Sequence, residues 1–175
     1  MSDPLPSTAD PIAIVLEERR QQREICDALE CIADQLRGNV SIPLCKVVLR
    51  RLDQDLPLYL KDEVALAEIL LSHYGEPSFA KQCLELVKSE HLAQEAYALE
   101  LHEPLTEICQ GKACRRINMI GYALRCCFEG MRRHLDWEDL VLFGDRLESL
   151  PIDTTLLTAR LARNRSLDAR HLRLA

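Results

Sequence analysis

Apolar residues recur every three and four positions along four long stretches of the chain, the spacing that gathers side chains on one face of an α-helix. The clearest stripe reads Ile117, Ile120, Leu124, Cys127, Met131, His134, Glu138, Val141. A second runs Leu84, Val87, His91, Gln94, Ala98, Leu101, Leu105, Ile108. A third is Leu49, Leu52, Leu56, Tyr59, Glu63, Leu66, Leu70, and the least regular is Val15, Arg19, Gln22, Cys26, Leu29, Ala33, Leu36.

Breakers separate these stretches. Asp10-Pro11 pairs a capping side chain with proline at the first helical position, and Gly38-Asn39 ends the first helix after Leu36. Ser41-Ile42-Pro43 starts a second helix running to about Tyr74-Gly75. Glu76-Pro77-Ser78 starts a third, which reaches about Gln110-Gly111 with a possible kink at Pro104. The fourth begins between Lys112 and Arg116 and reaches about Leu147, where Ser149-Leu150-Pro151 breaks the chain. A last amphipathic helix, Asp153 to Arg163, leads into a basic tail carrying Arg160, Arg163, Arg165, Arg170 and Arg173. Short connections make consecutive helices antiparallel neighbours. The expectation is an all-α, up-down-up-down four-helix bundle over 11–148. A flexible lead over 1–10 precedes it, and a short extra helix with the basic tail over 149–175 follows.

Each stripe is interrupted by polar residues, and a charge on an apolar seam costs several kcal/mol unless it is paired or bound to an ion. Counting from the turns brings the interruptions to one level. About a turn near residue 40, Arg19, Tyr59 and Glu63 lie 19 to 23 residues away. About turns near 76 and 112, Glu63 matches His91 and His91 matches His134 within one or two residues. At about 1.5 Å per residue these mismatches are only ~2–5 Å along the axis. One layer is therefore expected to hold Arg19, Tyr59, Glu63, His91, His134 and Glu138, the composition from which bundles build metal sites.

Four segments carry a family likeness: Glu18–Glu30 (ERRQQREICDALE), Asp55–Glu63 (DLPLYLKDE), Glu90-His91 and Phe128–Glu138 (FEGMRRHLDWE). In order and spacing they resemble a hemerythrin-like cation-binding domain up to about Phe143. The resemblance implies a fold that holds two non-haem irons with histidines and bridging carboxylates, for binding or sensing oxygen or for handling iron and peroxide. It carries Glu63 onto the second-helix carboxylate, His91 onto the third-helix histidine, and His134 and Glu138 onto the fourth-helix pair. It also marks departures. Position 19 resembles a first-helix histidine and is arginine, and position 59 resembles a second-helix histidine and is tyrosine, beside Leu60. Gln94 and Glu95 stand near where a further histidine is common.

A guanidinium is permanently charged and forks onto carboxylates, so Arg19 between Glu63 and Glu138 would supply the charge that an iron otherwise brings. Two outcomes stay open. One is an incomplete site in a non-enzymatic sensing or regulatory bundle. The other is a working metal centre of Glu63, His91, His134 and Glu138, with Tyr59 as a possible phenolate ligand, for oxygen, peroxide, nitric oxide or iron handling. These ligands suit iron, zinc or manganese without selecting among them.

Composition narrows the rest. The formal charge of −6 and dispersed arginines disfavour nucleic acid as a partner, and no apolar run reaches the length of a membrane span. The eight cysteines form no CxxC pair, several fall on apolar stripes, and a reducing cytoplasm is their expected setting. Histidine phosphotransfer needs an exposed histidine, whereas His91 and His134 lie on apolar stripes. A Cys126-Cys127 thiol couple is disfavoured because adjacent helical positions point about 100° apart. The basic tail is left as a possible contact for a protein partner.

Overall fold

The computed structural model describes residues 10–73, 76–112, 116–144, 147 and 151–171, without the side chains of 168–171. The described residues form helices and no strand. We label them α1 (Pro11–Gln35), α2 (Ile42–Arg50), α3 (Leu56–Leu71), α4 (Pro77–Cys109), α5 (Ile117–Glu138) and α6 (Thr154–His171).

The ends follow the local chemistry. Asp10 accepts a hydrogen bond from the Ile12 amide at 3.0 Å ahead of Pro11, and Ser41 caps α2 ahead of Pro43. Gly111, at φ +71°, takes the left-handed turn that closes α4. Pro104 lies inside α4. Two departures from α-geometry flank the polar layer. Arg51–Asp55 is a π-helical turn, in which the Leu56 amide reaches back to the Arg51 carbonyl. Pro57 next to it has no amide to donate, and the wider turn absorbs the lost bond. Asp139–Phe143 forms a second π turn after α5. Its extra residue moves the stripe onward from Val141, so that Leu142 and Phe143 are the buried positions.

Ion pairs fix the mutual register of the helices. On α1 and α5, Asp34 meets Arg125, Glu30 meets Arg132 and Arg23 meets Asp136, so numbers rise on one as they fall on the other. On α3 and α4, Glu68 meets Lys88 and Glu63 meets His91. On α3 and α6, Glu68 meets Arg160 and Asp62 meets Arg165. All three pairs are antiparallel. Most of these contacts are exposed and worth about 0–1 kcal/mol each, so they record register more than they create stability.

Stability comes from two apolar clusters. One holds Ile25, Cys26, Leu29, Leu52, Leu56, Leu101, Leu105, Leu124 and Met131 among its members. The other holds Val15, Leu66, Leu70, Val87, Leu142 and Phe143 together with Leu157 and Leu161 of α6. Burying each such side chain contributes about 1.5–3 kcal/mol. α6 extends eight residues beyond its expected end at Arg163, since Ala, Leu, Arg and Asp in that segment contain no breaker. It packs chiefly against α3 and α1. That cover explains why α3 is buried at Leu60, Asp62, Ala65 and Ile69 as well as along its expected stripe.

Among the described residues no helix is long and apolar enough to cross a membrane. Seven described cysteines are free thiols, and Cys114 lies outside the described residues. Of the tail arginines, Arg160 and Arg165 turn inward onto acidic partners and Arg163 is exposed. The Arg170 side chain and Arg173 lie outside the described residues.

Candidate metal centre

The polar layer lies where the two apolar clusters leave off. Glu63 from α3, His91 from α4, and His134 and Glu138 from α5 are all buried and bring one ligand atom each within 4.8 Å of one another. His134 and Glu138, one turn apart on α5, face the same space. His91 Nε2 lies 2.9 Å from His134 Nε2 and 3.3 Å from Glu63 Oε2. His134 Nε2 lies 3.5 Å from Glu138 Oε2 and 3.9 Å from Glu63 Oε2.

Arg19 closes the layer from α1. One guanidinium nitrogen donates to both Glu63 and Glu138. The other donates to the Leu135 carbonyl at 3.0 Å and to Asp139 Oδ1 at 2.7 Å. Phe143 stacks on the guanidinium, 4.2 Å from its carbon to the ring centre. The π turn after Glu138 brings Asp139 and Phe143 together onto this one arginine. Each carboxylate therefore gives part of itself to Arg19 and keeps part back: Glu63 Oε2 and Glu138 Oε1 are buried without a hydrogen-bond donor. Three residues further along α1 and α4, the buried amides of Gln22 and Gln94 are unpartnered as well.

The histidines are oriented from behind. Glu90 Oε2 lies 2.7 Å from His134 Nδ1; in the tautomer that donates Nδ1–H to Glu90, the Nε2 lone pair points into the cluster, where it accepts from His91 Nε2 at 2.9 Å. A carboxylate behind a ring nitrogen is the usual support for a metal-ligating histidine. Glu90 is off the α4 stripe, and the hydrophobic pattern gave no reason to choose it. Its signals were its place at the stripe's edge, next to His91, and its inclusion in the Glu90-His91 segment of the family likeness. His91 is a free base at neutral pH: burial, then the neighbouring His134, pushes it down to about 4.

The geometry is a fit test for a metal ion. Donors around a tetrahedral ion at about 2.1 Å stand about 3.4 Å apart; four of the six donor separations run from 2.9 to 3.9 Å and all six fall within 4.8 Å, so the widest pair closes in when an ion is held. Charge agrees, because two fully buried carboxylates face a single buried guanidinium, leaving one negative charge over. One divalent ion suits the four donors. Two do not, because Arg19 fills the α1 side and, among the described residues, no further histidine enters the layer.

Of the six residues expected at this level, the structure brings five together. Tyr59 is the exception: its hydroxyl donates to Gln21 Oε1 on α1. At this point of α3 a long phenol reaches past the layer to the acceptor on α1.

A second buried polar group abuts the first. Glu18 and Asp62, each one residue before a member of the main layer, both bond to Arg165 of α6 at 2.7 Å. Asn164 donates to Asp62 at 2.7 Å. Burial and the charge of Asp62 push Glu18 up to about 8, with Arg165 opposing them. Burial also raises Asp62, against Asn164 and Arg165.

Compared with models of protein families, with curated proteins and with solved structures, the chain matches none.

Proposed function

We propose that this protein is a non-enzymatic sensing or regulatory module that binds one divalent metal ion through Glu63, His91, His134 and Glu138. The observation that carries this reading is the convergence of four buried donor atoms within 4.8 Å, one carboxylate oxygen among them having no other partner. In this reading the helices form an up-down-up-down bundle in which α2 and α3 act as one member and α6 is added outside. The antiparallel pairings of α1 with α5 and α3 with α4 support it. The likeness to hemerythrin-like domains then becomes a relation by descent, with Arg19 standing for the charge of one of two irons. A bound ion would supply a Lewis-acidic, ligand-binding centre, and iron, zinc and manganese all suit the donors.

The chain's own residues set the character of the site. Glu90 fixes the His134 tautomer, burial keeps His91 unprotonated, and Arg19 holds the outer edges of both carboxylates. Glu18 and Asp62, the buried acids that abut the layer, are both engaged by Arg165 of α6, which favours a binding role over catalysis. A reducing cytoplasm suits the seven described free thiols, and the arginines of the last helix offer a contact for a protein partner.

A second reading is favoured by the fork of Arg19 on both carboxylates: a salt-bridged core that holds no metal. Calorimetric titration of chelator-treated protein with Zn2+, and with Fe2+ under anaerobic conditions, separates the two. The metal reading expects saturation that is lost in His91→Ala and His134→Ala. Absence of binding in a folded wild-type sample supports the salt-bridged core.

A further inference from the structure

A groove of about 650 Å³ lies between α4 and α6, floored by α3, and His91 is one of its lining residues. It exists because α6 packs on α3 and α1 and stands away from α4. Its volume is in the range of small-molecule sites. Two features of its walls are unexplained by folding. Leu92 on α4 is 67% exposed and Leu167 on α6 is 40% exposed, although both line the groove. The charge is also lopsided: Lys61, Lys88, Arg160 and Arg163 line it against Glu68 and Glu95 alone. Glu68 is shared by Lys88 at 2.9 Å and Arg160 at 2.6 Å. Lys61 and Arg163 are exposed and have no ion pair among the described residues.

We propose that this groove binds a small amphiphilic carboxylate, its acid group held by Lys61 and Arg163 and its chain covering Leu92 and Leu167. Two unpaired cations recognise the anion, and two exposed leucines on facing helices account for an apolar body. The occupant also abuts His91, so filling the groove alters the surroundings of a donor in the buried layer. The binding itself needs no ion there, and it stands or falls separately from the metal reading.

The test uses the full chain after chelator treatment, titrated calorimetrically with decanoate below its micelle concentration. The expected result is one decanoate per chain, weakened about tenfold or more in Lys61→Glu/Arg163→Glu, where two like charges replace two attractions. Leu92→Asp, on an exposed position, weakens it as well. The 15N resonances of the His91 imidazole move as decanoate binds. The proposal is overturned if decanoate shows no saturable binding or if decanol binds as tightly. It is also overturned if the charge-reversed variant binds undiminished, if the His91 resonances stay fixed, or if anionic vesicles bind while free decanoate does not.

Discussion

Replacing Arg19 with methionine keeps a long apolar stem in α1 and removes the guanidinium. The structure sets the size of the effect. Arg19 is 4% exposed and Glu63 and Glu138 are fully buried, so both carboxylates lose the only cationic partner they have among the described residues, without gaining water. The Leu135 carbonyl and Asp139 lose a donor too, and Phe143 loses its stacked cation. Breaking a buried ion pair from one side costs about 3–5 kcal/mol. In a chain of 175 residues, that corresponds to a fall in Tm of roughly 6–20 °C. The assay is urea and thermal unfolding in the presence of a chelator, followed by circular dichroism. Arg19→Lys, which keeps the charge and loses the fork, should fall between wild type and methionine. Adding Zn2+ should then restore more stability to Arg19→Met than it adds to the wild type, because the ion meets two carboxylates with no competing cation. A loss below about 1 kcal/mol in chelator would refute the assignment of Arg19 as the cation that holds the layer together.

Other outcomes follow from the same geometry. Glu90→Gln should weaken metal affinity about 10–100-fold while leaving the helix content unchanged, since Glu90 orients His134 from outside the donor set; titration with Zn2+ reads this directly. Tyr59→Phe should leave metal affinity unchanged and cost about 0.5–1.5 kcal/mol in urea unfolding, the worth of its hydrogen bond to Gln21. The pH dependence turns on Glu18, which in the fold titrates near 8, above the ordinary value of 4.5. The folded state binds the extra proton between those values, so the contribution of Glu18 is fully favourable below about 4.5 and declines as pH rises towards 8. Thermal unfolding from pH 5 to 8 should therefore show a smaller decline in Glu18→Gln than in the wild type. An equal slope in both would locate the titration elsewhere.

The polar layer was legible because helical spacing alone assigns a level to each side chain. Glu63, His91, His134, Glu138 and Arg19 could be matched by counting from the turns, and long apolar stripes kept the count in register. What escaped the count had physical causes. The π turn at Arg51–Asp55 is a response to Pro57, and the one at Asp139–Phe143 shifts burial by one residue; neither changes the apolar periodicity enough to be read in advance. Glu90 acts sideways from the edge of a stripe, where its residue type alone suggests a solvated surface. Glu18 and Asp62 lie off the apolar stripes, and the packing of α6 over α1 and α3 buries them against Arg165. Tyr59 lies on the right stripe and still directs its hydroxyl elsewhere, because a stripe sets the position of a Cβ and not the end of a long side chain.

The most direct measurement is the number of metal equivalents retained per chain after anaerobic loading with Fe2+, desalting and elemental analysis. The four-donor layer with Arg19 on its α1 side predicts one equivalent, lost in His134→Ala. Two equivalents would show that Arg19 yields its place to a second ion, and none in a folded sample would show that the arginine alone satisfies the buried carboxylates. Either result would contradict the assignment of a one-metal centre.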